Sequence, residues 1–183
     1  MEKSLLKYVF AIAIATLVAF GSAQAVDAGK VPAERQTKAG LYFTAQEANA
    51  HVEKNTAQTL FIDVRDPTEV FTLGMPTNAD ANIPFKRINV QKWDAKKNTF
   101  ALDSNPRFAS EVEAALKAKG LSKTDTVVLM CGSGTRSPQA VDVLADAGFT
   151  NVYLMVDGFK GWQDGKLPMS RDLEKAKMYG NPN

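Results

Sequence analysis

Scarcity defines this chain of 183 residues, which holds one cysteine, Cys131, and one histidine, His51. A single cysteine excludes an internal disulfide, a C-x-x-C redox pair and a cysteine-based zinc site. A single histidine excludes a histidine-rich metal centre, so no metal and no cofactor is expected. His51 lies in a segment opened by a Thr44–Glu47 capping box and reads as a surface or helix-flank residue. Nothing in the order of residues brings it to Cys131 as a dyad. Charge of one sign is also lacking: 22 basic residues face 20 acidic ones, a net of +2. That balance argues against nucleic acid as a partner. The longest apolar stretch, Tyr8 to Phe20, falls short of the roughly 20 residues needed to span a bilayer.

That stretch reads instead as the core of an export signal. Lys3 and Lys7 precede it, and Gly21-Ser22-Ala23-Gln24-Ala25 supplies an A-x-A cleavage site before Val26. Residues 1–25 are therefore assigned as a signal peptide, with the periplasm as destination and no stable membrane insertion after cleavage; a retained anchor is the alternative. Residues 26–40 read as a flexible leader, 41–168 as one domain, and 169–183 as a charged C-terminal tail.

Within 41–168, strands alternate with helices. A helix over 44–54 precedes an apolar strand over 59–64. Pro67 opens a short helix that Gly74-Met75-Pro76 breaks. The stretch 77–105 is the least regular, with a brief strand near Ala81–Ile83 and a long loop around Trp93. A helix follows Asn105-Pro106, with Gly120 beyond its end. Then come a strand to Met130, a helix from Ser137 closed by Gly148, a strand over 152–155 and a short helix from Asp157-Gly158. This order predicts an α/β fold, an open and mainly parallel sheet with helices on both faces. Trp93 and Trp162 read as core or pocket wall.

The apolar run Val127–Met130 delivers Cys131 to the carboxyl end of a strand, where open α/β sheets place their ligands. Gly132-Ser133-Gly134-Thr135-Arg136 follows, and a helix opens at Ser137. Such a loop aims main-chain N–H groups and a helix dipole at the sulfur, and thiolate is the nucleophilic form of cysteine. Arg136 either orients an anionic substrate or braces the loop. Ser133 and Thr135 offer hydroxyl donors, and Ser137 caps the next helix or donates to sulfur. Asp63 and Arg65, at a neighbouring strand end, read as supporting structure rather than as reacting groups.

Four stretches resemble the rhodanese family of single-domain thiosulfate sulfurtransferases: Leu60–Phe71 with its D-V-R, Ala81–Phe85 with N-I-P, the loop Cys131–Ser137, and Ala140–Pro168. The resemblance implies a rhodanese-like fold and transfer of sulfane sulfur from thiosulfate or a polysulfide through a Cys131 persulfide. Cys131 is then the catalytic residue, and Gly132, Ser133, Gly134, Thr135 and Arg136 bind substrate. The implied partners are a small anionic sulfur donor and a thiol or cyanide acceptor, with a sulfur-accepting protein as a further one. The chain departs from the family pattern at Gly74-Met75-Pro76, at Gly132 where a basic residue is common, and at Asp157. Lys160, Arg65 and Arg87 are candidates to replace the missing loop cation. Asp157 would place a negative charge near the mouth.

Two rivals stand beside this reading. Cysteine phosphatases and arsenate reductases carry five residues between Cys and Arg; here there are four, a cradle suited to a sulfur atom. The other rival is a non-turnover rhodanese module that carries sulfur for, or binds, a partner enzyme.

Overall fold

The computed structural model describes residues 26–171, so the segment read as a signal peptide and the end of the tail lie outside the described residues. Five strands form one sheet in the order β1 (Tyr42–Phe43), β8 (Val152–Met155), β7 (Thr126–Met130), β2 (Thr59–Asp63) and β4 (Ala81–Asn82). Every pairing in it is parallel. Alternate residues serve opposite faces: Leu60, Ile62, Val127 and Leu129 join one apolar cluster, while Phe61, Val128 and Met130 join the other. Burial on both sides is why these strands read as unbroken apolar runs.

Helices supply the two covers. Phe108, Val112 and Leu116 of α3 (Phe108–Ala118) and Val141 and Leu144 of α4 (Ser137–Asp146) fill the first cluster. Ala48 and Val52 of α1 (Ala45–Lys54) and Phe159 and Trp162 of α5 (Gly158–Asp164) fill the second. One capping box was announced by the sequence and a second was not. Thr44 and Glu47 form a reciprocal box on α1, and Asp66 and Glu69 form another on α2 (Pro67–Leu73). Gly120 takes φ +76° just past α3, a left-handed stop that glycine adopts without strain. Trp162 is buried as expected, its indole N–H donating to the Pro168 carbonyl at 3.0 Å.

Two segments differ from expectation. The loop around Trp93 is a β-hairpin, β5 (Lys86–Asp94) paired antiparallel with β6 (Thr99–Ser104), with a register shift between Asn89 and Trp93. Its turn closes at Asn98, φ +51°, a left-handed position that asparagine tolerates. Trp93 is therefore no core residue; it is exposed and meets Phe100 edge-on at 5.2 Å. The second segment is 26–40, read as flexible. Val31 is buried in the core cluster, the Val26 amide donates to the Tyr42 carbonyl, and Arg35 donates to the Val156 carbonyl at 2.8 Å. The leader is a docked arm, held by Val31, by Val26 and Ala39 packed against the same cluster, and by these polar ties. At the other end, β9 (Met169–Ser170) pairs antiparallel with β3 (Met75–Pro76), so the chain stays attached through residue 170.

Candidate active site

Cys131 leaves the end of β7 at the carboxyl edge of the sheet, and the loop that follows is gripped from α5. The Phe159 amide donates to the Cys131 carbonyl at 2.7 Å, and the Lys160 amide to the Gly132 carbonyl at 3.0 Å. In a trans peptide the N–H points opposite to the C=O, so the Gly132 and Ser133 amides face away from α5. Among the described residues, none of the amides of Gly132 to Arg136 donates a hydrogen bond to protein. A tight bend of unpaired donors after a strand end is an anion-binding arrangement.

Glycine is required here by contact. A Cβ on Gly134 (φ +78°) would stand 2.2 Å from the Val156 carbonyl oxygen. One on Gly158 (φ +60°) would stand 2.7 Å from the Cys131 carbonyl oxygen and 2.7 Å from the Gly134 nitrogen. The two glycines let the loop and the start of α5 touch backbone to backbone.

Arg136 is paired rather than free. Its guanidinium meets Glu69 through two bonds, Nη1 to Oε2 at 2.5 Å and Nη2 to Oε1 at 2.7 Å. The same Glu69 accepts from the Asp66 amide at 3.1 Å in the α2 capping box. A helix cap thus holds the carboxylate that holds the arginine, and the arginine braces the loop. The Glu69 hydrogen bond, with lesser contributions from Cys131 and Asp63, pushes the guanidinium further up from its ordinary range. In sequence Glu69 stood only within the D-V-R stretch that resembles the family; its pairing with Arg136 was not visible.

Asp63 and Arg65 behave as supporting structure. Both are fully buried; Arg65 Nη2 bonds Asp63 Oδ2 at 2.5 Å and the Gly74 carbonyl at 2.7 Å, while the guanidinium lies 3.7 Å from the centre of the Phe159 ring. Burial pushes the Asp63 carboxyl up, and Arg65 pulls against it. Asn82 ties this corner by donating to the carbonyls of both residues at 2.9 Å; it was missed as a bracing residue.

Other expectations are corrected. Ser137 makes no cap: it is the first residue of α4, fully buried, and its hydroxyl has no hydrogen-bond partner among the described residues. Ser133 and Thr135 are exposed, their hydroxyls 3.3 Å apart, and form the outer lip of the loop. Asp157 does not face an incoming anion; its carboxylate receives the Ala45 amide at the start of α1, at 2.9 and 3.1 Å. Of the cations expected to replace the one missing at Gly132, Arg65 is sealed in the core. Lys160 pairs with Asp164 on the surface, and Arg87 lines a separate cavity away from the loop. His51 is half-buried against Phe43, shares a 3.2 Å contact with the Thr59 hydroxyl, and its ring is pushed toward the neutral form by burial. Cys131 itself has no exposed surface.

A buried thiol at the head of a bend of unpaired amides, with Arg136 of that bend paired to Glu69 at the edge of a parallel sheet, defines an α/β protein with a single-cysteine loop. Residues 44–165 match the family model described as Rhodanese-like domain, and the chain belongs to that family. The chain is 30% identical over 108 residues to thiosulfate sulfurtransferase 16, chloroplastic, of Arabidopsis thaliana, a match covering 59% of this chain and 77% of that protein. It is 31% identical over 109 residues to the senescence-associated protein DIN1 of Raphanus sativus, covering 59% of this chain; the match spans half the length of that relative. Among solved structures, Rv0390 from M. tuberculosis superposes with a TM-score of 0.51 at 22% identity, over 70% of this chain and 96% of that one, which supports the fold.

Proposed function

We propose that this chain is a sulfurtransferase that moves sulfane sulfur from thiosulfate or a polysulfide to a thiophilic acceptor through a Cys131 persulfide. The observation that carries the reading is the bend Gly132–Arg136, whose amides are left unpaired by protein while the carbonyls of Cys131 and Gly132 are tied down on α5. In the first half-reaction the Cys131 thiolate attacks the outer sulfur of the donor. The new bond is Sγ–S; the donor's S–S bond breaks, and sulfite or a shortened polysulfide departs with the electron pair. The persulfide carries charge on its outer sulfur, where preorganised amides stabilise it best. In the second half-reaction an acceptor takes that sulfur and returns the thiolate. Ping-pong kinetics follow from the two separate transfers.

The covered sulfur adds a step. Because Cys131 has no exposed surface, donor access requires the loop to part. The Arg136–Glu69 clamp and the exposed lip at Ser133 and Thr135 are the elements that would move. The export signal read in residues 1–25 assigns the reaction to the periplasm; among the described residues no helix is long and apolar enough to cross a membrane.

Intact-mass analysis after exposure to thiosulfate tests the proposal. One added sulfur is expected on the wild-type chain and none on Cys131→Ser, which also loses thiocyanate formation from thiosulfate and cyanide by more than about a thousandfold. A serine variant with wild-type turnover would sink the mechanism.

A further inference from the structure

The hairpin and the clamp line a half-open cavity of about 540 Å³, within the roughly 300–1,000 Å³ typical of small-molecule sites. Glu69 and Arg136 form its inner wall, and Ile88, Phe100 and Leu102 give it apolar sides. Arg136 is shared with the loop: its Nη2 lies 3.1 Å from where a Cβ on Gly132 would stand. The cavity therefore abuts the residue next to Cys131 across one side chain. Its charges are unequal. Arg136 is matched by Glu69, and Lys97 by Asp94 at 3.4 Å. Lys86 pairs with no carboxylate among the described residues; its ammonium donates to the Gln139 amide oxygen at 3.0 Å and lies 5.7 Å from the Phe85 ring. One uncompensated cation in an apolar-sided cavity suits a molecule with a carbon body and one negative group.

Resting on the sulfurtransferase reading, we propose that this cavity holds the sulfur acceptor, that the acceptor is an organic thiol bearing a carboxylate, and that Lys86 selects it. The cation missing from the loop at Gly132 is thus supplied from the hairpin, where Lys86 lines the cavity. The acceptor's thiol attacks the outer sulfur of the Cys131 persulfide, Sγ–S⁻, and passes its proton to that sulfur. An S–S bond forms to the acceptor as the Sγ–S bond breaks. The electron pair leaves on Cys131 and the proton stays on the transferred sulfur, so no outside oxidant or reductant is needed. Lys86 is a specificity residue that touches the carboxylate and none of the sulfurs.

The test uses the full chain loaded by thiosulfate, with 3-mercaptopropionate and the neutral 2-mercaptoethanol as acceptors. In Lys86→Gln the ratio of kcat/KM for the acid over the alcohol falls about fivefold, the scale of one partly exposed ion pair, and Lys86→Arg restores it. A ratio equal to that of the wild type, or a fall that arginine does not reverse, overturns the assignment of Lys86. Failure of the wild-type chain to take up sulfur from thiosulfate would instead defeat the underlying sulfurtransferase reading, so the two failures are distinct.

Discussion

The cysteine loop and the hairpin lie on either side of one ion pair and are built by opposite rules. Around the loop, backbone meets backbone so closely that a single methylene at Gly134 or Gly158 would collide with a main-chain atom. On the hairpin, Val90, Trp93, Phe100 and Leu102 are all substantially exposed, and the strands are buried only in part. The first region fixes a few atoms in place and tolerates nothing; the second offers surface and leaves it open. Reaction chemistry needs the former, because charge stabilisation depends on dipoles already in position. Choice among partners fits the latter, where side chains can change without moving the sulfur.

Substitutions on each side sharpen that contrast. The largest loss is expected for Gly134→Ala, which combines a left-handed φ with a Cβ placed 2.2 Å from the Val156 oxygen. A destabilisation of about 3 kcal/mol by denaturant titration, with loss of sulfur uptake, is the expected result. A neutral alanine would show that the loop is slack. Next comes Arg136. Lysine cannot make the two-bond grip on Glu69, so Arg136→Lys should lower kcat/KM for thiosulfate about as much as Arg136→Ala, roughly tenfold each. If lysine kept most of the activity, Arg136 would be a charge for the donor rather than a brace. The smallest effect belongs to the hairpin. Trp93→Thr removes one edge-on aromatic pair at the surface and should cost about 1 kcal/mol or less, with sulfur uptake from thiosulfate retained. A loss as large as that at Gly134 would make the hairpin part of the core.

The same division explains what could be read in advance. Residues packed on both sides leave a strong trace, so the runs around Leu60 and Val128, the capping box at Thr44 and Glu47, and the stop at Gly120 were all legible. Cys131 stood out because an apolar strand ended on it beside two glycines. The hairpin left a fainter trace: Lys86–Asp94 is partly solvated throughout, and its alternation, Arg87-Ile88-Asn89-Val90-Gln91, is short and breaks where the register shifts before Trp93. Asn98, which takes the left-handed position of the turn, was not singled out, and the segment read as a loop. The Arg136–Glu69 clamp joins positions 67 apart, and neither residue carries a mark of the other. Ser137 was misread because a serine at a helix start usually caps; here the chain enters α4 with Arg136 at that position, and the buried hydroxyl finds no backbone amide.

The covered state of Cys131 gives the molecule a built-in gauge. With one thiol in the whole chain, every alkylation event reports the same sulfur, and a reagent can reach it only while the lid of backbone above it is displaced. When reclosing outpaces the reagent, the labelling rate divided by that of a free thiol gives the fraction of time the site stands open. That fraction also caps how often a donor can enter, so one kinetic trace would relate the breathing of five residues to the ceiling on turnover.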